Sequence, residues 1–422
     1  MAYIIKQTVN YPVMARVRQP LVLQEIENVE AEVAAQLRSL GMDEQFGGGR
    51  RIAITAGSRG ICNIARITKA IADYIKNCGG KPFIVPAMGT HGGATAEGQT
   101  ELLSHYGITE EAMGCPICAA MDVVHVGDTE EGFPVYLSKV ACESDGIIVC
   151  NRVKPHTDFV AENESGLLKM ITIGLGKQWG ANFAHGNGLA RCVKSMAQVS
   201  LKNAPIIAGL AIVENALDHT YLLQAVKPEN FVEEDARLLK IARGNVPQIP
   251  ADELDLLVVK EIGKEYSGTG MDTKVIGRMR IYGEPEPLRP RIRTIVALRI
   301  SPNSHGNATG IGLADLTTQA LVDQIRKDTT YTNILATTFT ERGKIPMHLD
   351  TEEETINYAF NIGNAAKPDI AKVAIVENTL HLGTMLVSKA VLDEHPELEV
   401  LEENVPLAFD EQGMLITPIA GH

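Results

Sequence analysis

The chain of 422 residues has no block of basic residues, no long apolar stretch and no dinucleotide fingerprint, and each absence removes a class of function. Its 52 acidic residues outnumber 39 basic ones, for a formal net charge of −13, which argues against nucleic acid as the main partner. An anionic substrate would need a local basic pocket set against that repelling field. The longest strongly apolar run, Ala204 to Val213, has ten residues, far too few to span a bilayer. The N-terminal MAYIIKQTVNYPVMARVRQP has no apolar core beside a small-residue cleavage site, so no signal peptide is expected and the expected location is the cytoplasm. Seven cysteines (62, 78, 115, 118, 142, 150 and 192) all lie in the first half, and an odd count without a secretion signal fits reduced thiols. Cys115-Pro-Ile-Cys118 lacks a second pair at ligand spacing, so two semi-buried thiols on a loop are the simpler reading than a metal or redox pair. No G-x-G-x-x-G follows the first strands, which disfavours a Rossmann dehydrogenase, and Gly47-Gly-Gly49 precedes a strand instead.

The pattern that is present alternates strand and helix. Ile26, Val29, Val33, Leu37 and Leu40 fall at helical spacing before Gly41. A strand at Arg51–Thr55 runs into Ala56-Gly57-Ser58-Arg59-Gly60, a helix follows over about 61–78, and a strand at Phe83–Pro86 opens onto Met88-Gly89-Thr90-His91-Gly92-Gly93. A further strand, Gly146–Cys150, leads to the segment Asn151–His156. Such βαβ units predict a mostly parallel sheet whose strand ends carry the ligand, which is where Arg59, His91 and His156 fall. Two prolines in Asn245–Asp252 interrupt the pattern, and a new strand starts at Leu254–Val259. The expectation is an α/β protein of two α/β domains, 1–248 and 249–422, with mostly parallel sheets and an active site in the cleft between them. Within the second domain the pattern predicts strands at 293–299, 333–338 and 370–376, and helices over about 312–327 and 352–361. Thr351 to Glu354 forms a T-x-x-E capping box for the last of these helices. Ala211-Ile-Val-Glu-Asn215 recurs as Ala374-Ile-Val-Glu-Asn378, each soon followed by a histidine (His219, His381). Chance likeness of strand composition and a relation between the two sheets both account for it.

Of eleven histidines, His105, His125, His348, His395 and His422 sit in contexts without convergent partners. His91, His156 and His185 differ, since each lies among glycines or after a proline, where backbone can approach a ligand. An imidazole titrates near neutrality and suits proton transfer or metal ligation. Lys169 sits between Glu164-Ser-Gly-Leu-Leu168 and the apolar Met170–Ile173. It either snorkels from an element edge or is buried and nucleophilic.

In this order and spacing the residues resemble the nickel-pincer lactate racemases and their 2-hydroxyacid racemase and epimerase homologues, over roughly the first two thirds of the chain. Ser58-Arg59 resembles the family's Thr-Arg after the first strand. Gly89-Thr90-His91 and Pro155-His156 are similar to the two motifs that carry its catalytic bases. Lys169 falls where the family's lysine carries or contacts the cofactor, and His185, sixteen residues on, falls where its histidine binds nickel. The chain departs from the pattern in a longer loop between His156 and Lys169 and in Ser165-Gly-Leu-Leu-Lys169 in place of Ser-Gly-Gly-Arg-Lys. Ala56 and Gly57 stand where the family has aspartates. In the second domain Gly268-Thr-Gly-Met-Asp272 stands for Gly-x-Pro-x-Asp, with Gly277 replacing a substrate-binding Gln and Arg280 a Lys, and Arg278 adjacent.

The resemblance implies a hydroxy-acid isomerase other than lactate racemase itself. It implies His91 and His156 as catalytic bases, Ser58, Arg59 and Lys169 at the cofactor and His185 on the metal. Asp272, Arg278 and Arg280 would meet the substrate, the guanidinium groups gripping its carboxylate. The implied cofactor is the nickel-pincer nucleotide (nickel pyridinium-3,5-bisthiocarboxylic acid mononucleotide), which makes its biosynthesis proteins the implied partners. The implied reaction is reversible proton-coupled hydride transfer through a flat 2-keto acid. A dehydratase or lyase on the same crevice, and a cofactor-binding protein without turnover, are the alternative readings.

Overall fold

The computed structural model describes residues 9–419 except Arg59, Asp158 and the side chain of Ala336. The chain forms two compact units, one of Val22–Val246 and one that joins the residues up to Leu21 to those from Pro247 onward. The division at 246/247 lies beside the proline-interrupted stretch from which a boundary is expected. The start of the chain differs from that expectation, because β1 (Met14–Arg18) belongs to the second unit. Its buried Met14, Ala15 and Val17 need apolar partners on both faces, and β1 finds them between two antiparallel neighbours of that unit's sheet.

The Val22–Val246 unit is built on a five-stranded sheet of β2 (Arg51–Ala56), β3 (Lys81–Pro86), β6 (Gly146–Arg152), β7 (Ile206–Glu214) and β8 (Thr220–Val226). The two intervening strands, β4 (Val123–Asp128) and β5 (Pro134–Ser138), make a separate antiparallel hairpin. The order is β3-β2-β6-β7-β8, parallel except for the β7–β8 pair. Alternation splits each strand between two cores. Ile52, Ile54, Ile148, Leu210 and Ile212 meet the helices Val29–Ser39 and Ile64–Asn77, which lie close to the expected ranges. Ala53, Ile147, Val149, Ala211 and Val213 face the helical stretch 167–203 and the helix Phe231–Asn245. Covering both faces explains why these strands read as continuous apolar runs, the ten-residue run included, most of which forms β7.

The second unit has an eight-stranded sheet. Its remaining members are β9 (Glu253–Ile262), β10 (Arg291–Ile300), β11 (Leu316–Thr318), β12 (Met347–Leu349), β13 (Val373–Val376), β14 (Thr384–Ser388) and β15 (Glu399–Glu402). The order is β12-β11-β10-β9-β13-β14-β1-β15, parallel from β12 to β13 and antiparallel beyond. The helix Glu352–Ala359 starts where the capping box places it, with Thr351 Oγ1 accepting from Glu354 N at 3.1 Å. Two expectations fail between residues 312 and 338. Helix 312–327 is replaced by a turn, the short β11 and a helix of five residues, Gln319–Asp323. The strand expected at 333–338 is largely the end of a helix, Lys327–Thr337. Its β-branched residues suit a strand, but among its described side chains Thr330 and Ile334 alone are buried, one helical turn apart, while Tyr331 and Leu335 are exposed.

The repeated Ala-Ile-Val-Glu-Asn ends β7 and β13 in the same way. Asn215 Oδ1 accepts from Leu217 N (2.9 Å) and His219 N (3.0 Å), and Asn378 Oδ1 accepts from Leu380 N (3.0 Å) and His381 N (2.8 Å). The preceding Glu214 pairs with Arg152 on neighbouring β6, and Glu377 with Lys260 on neighbouring β9. Each unit thus closes the carboxyl end of one strand with an asparagine-centred turn and a cross-strand ion pair to glutamate, the turn being one residue shorter after Asn378.

Candidate functional site

In the Val22–Val246 unit the chain runs from β2 outward to β3 and later returns to β6 on the other side of β2. The carboxyl ends of β2 and β6 therefore flank a topological switch point, the place where open α/β sheets hold ligands. Four of the residues singled out in the sequence come from segments at this edge: Ser58 after β2, His91 after β3, His156 after β6, and Lys169 on the helical stretch packed beneath.

Small residues make that convergence possible. A Cβ on Gly57 would lie 3.1 Å from Met170 Cε, beside Lys169, and Asn151 Nδ2 at the end of β6 donates to Gly166 O at 2.7 Å. Gly89 has φ +58° and fits between Ile173 and Ala181, each 3.2 Å from where its Cβ would be. The loop that presents His91 thus rests on the segment that carries Lys169 and His185. That segment is not one straight rod. A helical turn at Leu167–Lys169 continues as a π-helical stretch to Leu175, and a new helix, Lys177–Asn187, begins at a lysine with φ +54°. The new helix packs against the π-helical stretch, with a Cβ on Gly180 only 2.3 Å from Thr172 O.

Each candidate side chain has its own support. Ser58 Oγ and His91 Nδ1 are 2.5 Å apart, and Tyr106 holds the serine by donating to its carbonyl at 2.8 Å. The His91 ring is exposed, with Nδ1 engaged by Ser58. The His156 loop is closed at its base by Lys154 N donating to Ser165 O at 3.0 Å. Inside it the buried Glu164 accepts from His156 N (2.6 Å) and Ala161 N (3.1 Å) and pairs with Arg243 at 2.7 Å. The His156 ring stacks at 4.7 Å on Phe159. Lys169 is half-buried on its helical turn, and His185 is exposed in the last turn of Lys177–Asn187, next to Gly186. Arg59 lies outside the described residues.

Lys169's turn is fixed by a residue that the motifs do not contain. Asp235, 2% exposed, accepts from Leu167 N (2.9 Å) and Leu168 N (3.1 Å). A side chain on Gly166 would collide with this carboxylate. Burial pushes the Asp235 carboxyl up to about 6, partly opposed by the two N–H donors. Folding therefore favours its protonated form, and the associated stability is full below the unfolded pKa of 3.8 and lost as pH rises through about 6. Asp235→Asn keeps the shape but turns an amide N–H toward one of the two donors. It is expected to destabilise the protein by about 1–3 kcal/mol in urea unfolding at pH 7. It should also flatten the rise in stability between pH 7 and 4.

Asp272, Arg278 and Arg280 belong to the other unit. Asp272 Oδ1 accepts from Lys274 N, and its own N–H donates to Thr379 Oγ1, both at 2.8 Å. Arg278 donates to both oxygens of Asp315 (2.9 Å each) and to the carbonyls of Leu313 and Ile292. Arg280, with φ +49°, reaches Gly312 O and Asp315. In this structure the two guanidinium groups brace the loop between β10 and β11.

Among the described residues no three His, Cys, Asp or Glu side chains cluster to hold a metal ion, and no helix is long and apolar enough to cross a membrane. A single exposed imidazole such as His185 suits a metal that arrives with its other donors supplied by a chelating prosthetic group. Lys169 lies on the same helical segment, so an amine and an imidazole are the donor types this segment offers to a metal-bearing anionic group.

The fold is that of an α/β protein with His91 and His156 on segments that follow strands at a sheet switch point. Residues 4–189 match the family model of the lactate racemase N-terminal domain. Over that stretch, a little under half of its length, the chain is similar to the lactate racemase N-terminal domain. Among solved structures it is similar to the lactate racemase apoprotein from Thermoanaerobacterium thermosaccharolyticum, with a TM-score of 0.55 and 13% identity over 87% of this chain and 99% of that one. At this identity the likeness is one of fold. No curated protein matches.

Proposed function

We propose that the protein is a racemase or epimerase of a 2-hydroxy acid other than lactate, working by reversible proton-coupled hydride transfer with a nickel-pincer nucleotide. The reading is supported by the position of Ser58–His91, the His156 loop and the Lys169 segment after strands that flank one switch point, in a chain whose residues 4–189 match the lactate racemase N-terminal domain.

When bound, the nucleotide supplies an acceptor for the hydrogen at C2 of the substrate, and the organic chemistry is largely its own. Lys169 anchors it, covalently or as an ion pair, and His185 ligates the metal through neutral imidazole. Ser58 and Arg59 serve its phosphate side. Taking the hydroxyl proton makes loss of the C2 hydrogen as hydride easier, and His91 or His156 takes that proton. The flat keto acid then turns within the crevice. When the hydrogen is restored at its opposite face, the other histidine would return a proton to the oxygen, which gives the opposite configuration. Each histidine is thus the base for one stereoisomer, and the substrate carboxylate calls for a guanidinium partner, for which Arg278 and Arg280 are the candidates.

The test is to purify the protein from a host that makes the cofactor, measure nickel by elemental analysis, and follow short and long 2-hydroxy acids by chiral chromatography. Bound nickel together with loss of optical purity in one of these acids supports the reading. Nickel-free protein that leaves every acid unchanged overturns it.

A further inference from the structure

Lys177 is the least explained charge in the molecule. Its side chain is fully buried, and its backbone adopts a left-handed conformation at φ +54° that a lysine rarely takes. Both features are costly, so something local must reward them. The ammonium donates to Pro86 O at 2.5 Å and to Gln99 Oε1 at 3.2 Å. Gln99, also fully buried, donates in turn to Gly89 O at 3.0 Å and His91 O at 3.2 Å.

The chemistry of the pair gives it direction. A lysine ammonium has donors and no acceptor, so it admits only the carbonyl end of the Gln99 amide. The NH2 end must then face the carbonyls of the Gly89–His91 loop. We propose that Lys177 is a positioning residue, which fixes the orientation of Gln99 and through it the backbone that presents His91. The inference rests on the reading of His91 as a base. It adds that the segment carrying Lys169 and His185 also sets the geometry of the His91 loop, from a residue lying between them in sequence. Burial lowers the Lys177 ammonium to about 8, which leaves it mostly charged at neutral pH.

The test uses histidine-labelled protein without substrate or cofactor, so it stands apart from any assay of racemisation. The His91 imidazole is assigned by its loss in His91→Gln. Its NMR titration, and amide exchange of Gly89–Ala94, are then followed in Lys177→Met and Gln99→Glu. Gln99→Glu keeps a carboxylate acceptor for the lysine but has no N–H for the loop, so it separates positioning from mere support of a buried cation. Both variants are expected to raise exchange of Gly89–Ala94 at least tenfold and to shift the His91 titration, leaving His395 unmoved. If Lys177→Met does not fold, Gln99→Glu alone decides. A folded Lys177→Met, or a folded Gln99→Glu, with wild-type exchange and an unchanged His91 titration overturns the proposal.

Discussion

Alanine in place of either His91 or His156 is expected to reduce turnover of both enantiomers by about 10²–10⁴-fold, the usual contribution of a general acid–base group. In the proposed mechanism one histidine takes the hydroxyl proton and the other returns it, so losing one interrupts both directions. The magnitude should be similar for the two variants, though their supports differ. His91 is held at Nδ1 by Ser58, and Ser58→Ala should have a smaller effect in the same direction. His156 is held through its backbone by Glu164, so its ring can be removed without opening the loop. Nickel content should stay at the wild-type level in both variants. Loss of nickel from both, by elemental analysis, would mean that ligands have been taken for bases.

His185→Ala is expected to bring nickel down to background while leaving the fold intact, because the side chain is exposed on a last helical turn. No cluster of other donors among the described residues stands ready to replace it. Lys169→Ala should instead abolish retention of the nucleotide, read by mass spectrometry of the denatured protein if the link is covalent and of the native protein if it is ionic. Wild-type nickel in His185→Ala together with wild-type nucleotide in Lys169→Ala would remove both assignments.

Much of this architecture was legible in the chain because strands buried on both faces leave long apolar runs and helices leave a stripe. Arg51–Thr55, Gly146–Cys150 and Leu254–Val259 stand out for that reason, and Thr351 announces its helix by its spacing from Glu354. The stretch 333–338 suggests a strand because half of its residues are β-branched, whereas most of it closes the helix Lys327–Thr337, of whose described side chains Thr330 and Ile334 are buried. The place of β1 was hidden, since five residues do not reveal which distant sheet they will enter. At the candidate site, Ser58, His91 and His156 stand out in glycine- or proline-marked segments after strands, and Lys169 as a lysine in an apolar helical stretch. The residues that hold them do not, because Glu164, Gln99 and Lys177 act across gaps in sequence that no local motif spans. Asp235 left one trace. It lies on the apolar stripe of its helix, between Phe231 and Leu238, where a carboxylate must find buried donors.

The central claim is that the C2 hydrogen leaves and returns as hydride rather than exchanging as a proton. The most direct test is to racemise a single enantiomer of a responsive 2-hydroxy acid in D2O and examine C2 of the product by NMR. The mechanism proposed here predicts an inverted product that keeps its original hydrogen at C2, with no solvent deuterium there. Deuterium incorporated at C2 with each inversion would instead show direct deprotonation of the carbon, and would contradict the hydride account.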